Sequence, residues 1–131
     1  MHIFILNMEI LMNDINLIYQ NEFGIAFQWK KDSDKKASKI QVIFRDTGLL
    51  LTPNELHYFS KCINDTIESG DGNLCKDCKV KGECRSLLLN SPAQQITFAV
   101  SFTEALKIKD LIKGTLFKLQ LDSYFDEFGI N

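Results

Sequence analysis

The sequence predicts an α+β fold, a two-layer sandwich in which an antiparallel or mixed sheet carries two main helices on one face. Three observations lead there. Apolar residues recur at every second position over residues 23–29, 40–44 and 96–100, the period of half-buried strands. Two helix starts carry the same kind of cap, Thr52-Pro53-Asn54-Glu55 and Ser101-Phe102-Thr103-Glu104. The two halves also align at an offset of 49 positions, so that residues 48–56 lie over 97–105, Phe59 over Ile108 and Ile63 over Ile112. The alignment suggests a ββα-ββα internal repeat whose units share one sheet, although any strand-to-helix junction needs a cap.

A chain of 131 residues suits one domain. It should bury roughly two-thirds of the surface its unfolded form exposes, so neither a disulfide nor a metal is needed merely to hold a core. The net charge of −2 offers no global attraction to phosphate backbones, and nucleic acid is not an expected partner. Lys76, Lys79, Lys81 and Arg85 form a local basic group that Asp77 and Glu83 dilute. No apolar run reaches the roughly 20 residues of a membrane-spanning helix. The start, residues 1–8, is apolar, but it has no positive leader and no small-residue cleavage site, so it does not read as a signal peptide. Met8 and Met12 are alternative starts. The expected compartment is the cytosol, which favours reduced thiols or metal over disulfides.

Taken in order, Met8, Leu11, Met12, Ile15 and Ile18 fit one helical face, which makes residues 1–22 an N-terminal segment with a short helix over 8–19. Phe23, Ile25, Phe27 and Trp29 alternate with Gly24, Ala26 and Gln28 as a strand. Residues 30–39 are a charged loop, and Ile40, Val42 and Phe44 mark the next strand. Asp46-Thr47-Gly48 supplies a bend before a short strand at 49–51. Thr52 then caps a helix with Pro53 at its first position and Glu55 reaching back. Its inward stripe is Leu56, Phe59, Ile63 and Ile67, and Gly70-Asp71-Gly72 stops it near residue 68. Strands follow at 86–89 and 96–100. The second capped helix presents Ala105, Ile108, Leu111, Ile112, Thr115, Leu116 and Leu119, with Gly114 as a weak point. It should run to about residue 121, with one last turn at 124–128.

Between the capped halves lies a cysteine-bearing connecting loop at 70–84. Its spacing is Cys75-x2-Cys78-x5-Cys84, with Cys62 upstream on the first helix. A C-x2-C turn lets two thiolates converge on one ion, and a structural zinc takes four ligands. The candidate metal set is therefore Cys62, Cys75, Cys78 and Cys84, with zinc ahead of iron–sulfur as the expected occupant. Two alternatives stay open: reduced thiols with no metal, or a redox pair at Cys75 and Cys78. The redox pair is disfavoured, because it follows a glycine-rich loop instead of opening a helix after a strand. No phosphate-binding glycine loop, nucleophile elbow or matched acid–base pair is present, and no catalytic residue is assigned. The expected role is binding another protein or forming a homodimer, the apolar start and a free sheet edge being candidate surfaces. The runner-up is a small redox or iron–sulfur protein.

The three-cysteine spacing resembles the first part of the auxiliary-cluster motif in the SPASM extension of radical-SAM maturases, over this stretch alone. The capped ββα layout, the segment Cys84-Arg85-Ser86-Leu87-Leu88-Leu89-Asn90-Ser91-Pro92 and the run Gln95-Ile96-Thr97-Phe98-Ala99-Val100-Ser101 resemble a small uncharacterised family of Bacteroidetes-type bacteria. That resemblance implies no activity and no catalytic residue.

Overall fold

The computed structural model describes residues 14–30, 39–72 and 83–129. The elements run β1 (Ile15–Gln20), β2 (Gly24–Trp29), β3 (Ile40–Phe44), β4 (Thr47–Leu51), α1 (Pro53–Gly72), β5 (Leu87–Asn90), β6 (Thr97–Val100) and α2 (Phe102–Glu127). The class is α+β. β1 to β4 form an antiparallel meander in chain order, and β5 and β6 form a separate antiparallel hairpin.

β1 is the first departure from expectation. Where the apolar spacing suggests a helix over 8–19, residues from Ile15 onward pair with β2; residues 8–13 lie outside the described residues. The register shifts between Leu17 and Tyr19, which makes Ile18 a bulge. Ile15 packs with Ile25 and Phe27, whereas Ile18 joins the main core. Two buried residues three apart thus mimic a helical stripe while serving opposite faces of a sheet. At the turn that follows, Asn21 Oδ1 accepts hydrogen bonds from the amides of Phe23 and Gly24 at 2.8 and 2.9 Å, the local side-chain bond that makes Asn a turn residue.

β2 is buried on both faces rather than half-buried. Ala26 faces the main core, and Ile25 and Phe27 sit on the other side with Ile15, Trp29 and Ile43 around them. In the β3–β4 hairpin Phe44 pairs with Thr47, so the loop is Arg45-Asp46. The left-handed position is Arg45, with φ 57°, while Gly48 lies inside β4, not at the bend assigned to it.

Both capping boxes form. Thr52 Oγ1 accepts from the Glu55 amide at 3.1 Å and Glu55 Oε1 accepts from the Thr52 amide at 2.9 Å. Ser101 and Glu104 make the same pair of bonds, each at 3.0 Å. Each box satisfies two amides that would otherwise lack a partner at a helix start.

Both helices outrun the sequence expectation. α1 continues through Gly70 to Gly72, and α2 passes Gly114 and residue 121 without a break. The glycines are there for close approach. A Cβ at residue 70 would come within 2.7 Å of the Leu87 side chain, so this turn of α1 lies directly on β5. A Cβ at residue 114 would fall 2.6 Å from Tyr19 Cε1 and nearer still to Cζ and Cε2, so the tyrosine ring of β1 rests on the backbone of α2.

One face of the four-stranded sheet shares a single core with both helices. Ile40, Val42, Phe44, Leu49 and Leu51 meet Leu56, Phe59 and Ile63 of α1 and Ile108, Leu111 and Ile112 of α2. The rings of Phe44, Phe59 and Phe98 lie 5.2 to 6.4 Å apart and tie sheet, helix and hairpin together.

Among the described residues the expected single sheet does not form, and side chains meet the outer carbonyls of the hairpin. The outward carbonyl of Ala99 on β6 accepts from the Arg45 guanidinium at 3.0 Å, where a neighbouring strand would otherwise bond. The carbonyl of Leu88 on β5 accepts from Thr66 of α1 at 3.5 Å. No helix among the described residues is long and apolar enough to cross a membrane.

Candidate functional site

Cys62 stands beside the apolar stripe of α1, which leaves it 9% exposed and a free thiol. Tyr58 lies one turn earlier. Its hydrogen bond with the Cys62 thiol pushes the phenol above its ordinary pKa. Both open into a groove of about 600 Å³ between α1 and β5, with Thr66 on the helix side and Ser86, Leu88 and Asn90 on the strand side. The groove exists because Gly70 lets the end of α1 settle onto Leu87. A second groove of about 730 Å³ lies between the start of α1 and the later turns of α2, lined by His57, Leu119 and Tyr124.

Cys84 is disulfide-bonded. Its partner is not Cys62, and Cys75 and Cys78 lie outside the described residues. The residues on either side of Cys84 are clamped to the first turn of α2. Thr103 donates to Glu83 at 2.9 Å, and Arg85 donates through Nε and Nη2 to the two carboxylate oxygens of Glu104 at 3.0 Å each. This two-bond geometry is the strong form of an arginine–carboxylate pair. Burial pushes the Glu104 pKa up, but the bonds from Arg85 and from the Ser101 amide outweigh it and hold the carboxyl below its ordinary value. One glutamate therefore caps α2 and anchors the approach to Cys84. The cap was legible in the sequence; the Arg85 partner was not, because it comes from across the fold.

A four-sulfur zinc site needs thiolates converging on one point. Of its expected ligands, the described residues contain Cys62 and Cys84, and among them no group of three or more His, Cys, Asp or Glu side chains gathers to hold an ion. The sulfur of a disulfide is not a thiolate, so Cys84 as it stands here is not a zinc ligand. His57 faces the second groove.

Two features lie outside the sequence reading. The Tyr19 hydroxyl donates to the Asp110 carboxylate at 3.1 and 3.2 Å, and Asn21 Nδ2 donates to the same carboxylate at 2.9 Å and to the Lys107 carbonyl at 3.0 Å. These bonds pin the β1 edge to α2. The hydrogen bond to Asp110 also raises the Tyr19 pKa. Beyond Gly114, the solvent side of α2 carries Phe117 and Tyr124, and Phe128 follows at its C-cap, all exposed. The seven-residue spacing of Phe117 and Tyr124 was the available signal. A helix ending near residue 121 hides it. No family model, no curated protein and no solved structure matches the chain, so the functional reading rests on this geometry.

Proposed function

We propose that the chain is a non-catalytic interaction module of the cytosol, acting by contact with another protein or with a second copy of itself. The observation that carries this is the amount of large apolar side chain left in water in two groups. One is the outer side of α2 and its C-cap, where Phe117 and Phe128 are exposed by 66% and 60%. The other surrounds the open side of β5, where Leu88 is 69% exposed and Tyr58 and Ile96 border the neighbouring hollow. Scattered apolar residues are ordinary on a surface, but grouped aromatic ones mark contact sites.

In this reading the cysteine stretch is a structural element that holds zinc when reduced. The disulfide at Cys84 favours a second reading, in which the stretch alternates between dithiol and disulfide. Zinc analysis of reduced protein separates them. About one zinc per chain supports the structural site, and a metal-free chain with reversible loss of thiols on oxidation supports the second reading.

The interaction reading is tested by affinity capture from native lysate, with wild type beside Phe117→Lys and Leu88→Lys variants. A stoichiometric partner lost with either variant supports it. If wild type retains no partner and remains monomeric, the module reading fails.

A further inference from the structure

The four-stranded sheet is buried on a second side. Residues paired directly across neighbouring strands point to the same face. Ile15 pairs with Trp29, Phe27 with both Leu17 and Gln41, Ile25 with Ile43, and Gln41 with Leu50, which places all of them on the side away from α1 and α2. Ile25 is 1% exposed, Phe27 2% and Ile15 6%, as dry as the main core. Leu17 and Leu50, at the rims of the same side, are 46% and 49% exposed.

A sheet face this dry needs another layer packed on it. Among the described residues none supplies that layer, since α1, α2 and the β5–β6 hairpin all pack into the core on the other side. The burial is nonetheless reached within one chain. We infer that residues 1–13 fold back within the same chain across this outer side of the sheet and close a second core over Ile25 and Phe27. The inference goes beyond the proposed interaction role and stands without it. It also takes the apolar start out of the surfaces which that role can use.

Three features select this occupant. The first is composition. Nine of residues 1–13 are apolar, with Ile3-Phe4-Ile5-Leu6 and Ile10-Leu11 among them. Residues 31–38 hold one alanine among charged and polar side chains, and residues 73–82 set Leu74 and Val80 among three lysines. Only the first segment carries enough apolar side chain to cover an apolar face.

The second feature is where each segment is tied. The Lys30 amide donates to the Asp14 carbonyl at 2.9 Å, and Ile15 pairs with Trp29, so the chain enters β1 at the Trp29 end of this face. A segment ending at residue 13 therefore starts from its rim. Residues 73–82 instead have both ends held on the helix side: Gly70 seats α1 on Leu87, and Glu83 accepts from Thr103 of α2.

The third is reach. The stretch from Ile25 to Trp29 spans about 13 Å at the rise of a strand. A chain of 13 residues reaches about 20 Å as a helix and about 43 Å when extended, so either form crosses the face. Half-exposed Leu17 on β1 and Leu50 on β4 mark the limits of the cover, which is centred on β2 and β3 and is as narrow as a single segment.

Trp29 is the only tryptophan in the chain, and its ring lies edge-on to Phe27 at 5.1 Å, so its fluorescence reads this face alone. In the dilute full chain its emission should be blue-shifted and should resist quenching by acrylamide, with neither property changing with protein concentration. Ile5→Lys and Leu6→Lys, made singly and together, should shift the emission to the red. The double variant should at least double the quenching constant, because a lysine is not buried unpaired against Ile25 and Phe27. Far-ultraviolet circular dichroism should keep the signal of α1 and α2. Where a variant does not fold, nuclear Overhauser contacts in dilute wild-type protein carry the test. The side chains of Ile25 and Phe27 should touch residues 1–13, and mixing labelled with unlabelled chains should leave those contacts within one chain. A folded double variant with unchanged Trp29 emission and quenching overturns the inference. So do contacts from residues 31–38 or 73–82 in place of 1–13, or contacts that run between chains.

Discussion

Replacing Gly114 by alanine sets two effects of opposite sign against each other. In a bare helix the change should stabilise by about 1 kcal/mol, because alanine is the better helix former. Here the new methyl would sit within 2.6 Å of Tyr19 Cε1, so the ring must leave the face of α2. Leaving breaks the two Tyr19–Asp110 contacts of 3.1 and 3.2 Å, a charge-assisted interaction worth about 1.5–3 kcal/mol in general and toward the lower end at this exposed site. It also uncovers ring surface, at roughly 25 cal/mol per Å² of apolar area. The loss exceeds the gain, and Gly114→Ala should destabilise the chain by about 1–2 kcal/mol net. In a Tyr19→Ala background the obstacle is gone, and the same substitution should stabilise by up to about 1 kcal/mol. The coupling across the double-mutant cycle is then about 2–3 kcal/mol, measurable from urea midpoints at constant slope. If Gly114→Ala stabilises the wild type as much as the Tyr19→Ala chain, the packing of β1 onto α2 is wrong.

The other predictions concern the caps and the cysteines. Thr52→Ala and Ser101→Ala should each cost about 1 kcal/mol by urea denaturation, since each hydroxyl accepts the amide three residues on. Glu55 and Glu104 both have pKa values below their ordinary range: Glu55 through the Thr52 amide, Glu104 because the bonds from Arg85 and Ser101 outweigh its burial. Their stabilisation is therefore complete above the unfolded-state value of about 4.3 and is lost as pH falls through the lower folded values. The urea midpoint should drop on acidification across that window, and less steeply in Glu104→Gln; an equal slope would argue against the Arg85–Glu104 clamp. If reduced protein carries structural zinc, Cys78→Ser should remove the metal and cost several kcal/mol; if the thiols are bare, the same change should stay within about 0.5 kcal/mol.

What could be read from the sequence was what is decided locally. Thr52-Pro53-Asn54-Glu55 and Ser101-Phe102-Thr103-Glu104 set their helix starts within four residues, and both boxes form as written. The stripes of α1 and α2 likewise follow from spacing alone. Features decided by a distant partner could not be read. Ile15 and Ile18 look helical because they are three apart, yet in a strand that spacing puts them on opposite faces. Gly70 and Gly114 look like helix breaks because nothing nearby reveals Leu87 or Tyr19. The expectation of a shared sheet came from matching ββα layouts. In the structure β5 and β6 instead pair with each other as a separate hairpin, and strand pairing between distant segments is not decided locally. At the cysteines, spacing identified candidate ligands but could not give the oxidation state of Cys84 or the enclosure of Cys62 beside Tyr58.

The claim that this chain works through surface contact is tested most directly by amide hydrogen exchange on wild-type protein, dilute and then concentrated or saturated with a captured partner. Protection should rise along residues 117–128 or around Leu88 on β5, and Phe117→Lys or Leu88→Lys should abolish the rise on the matching surface. Exchange that is identical under all these conditions, from a chain that remains a single 15.0 kDa species, would contradict it.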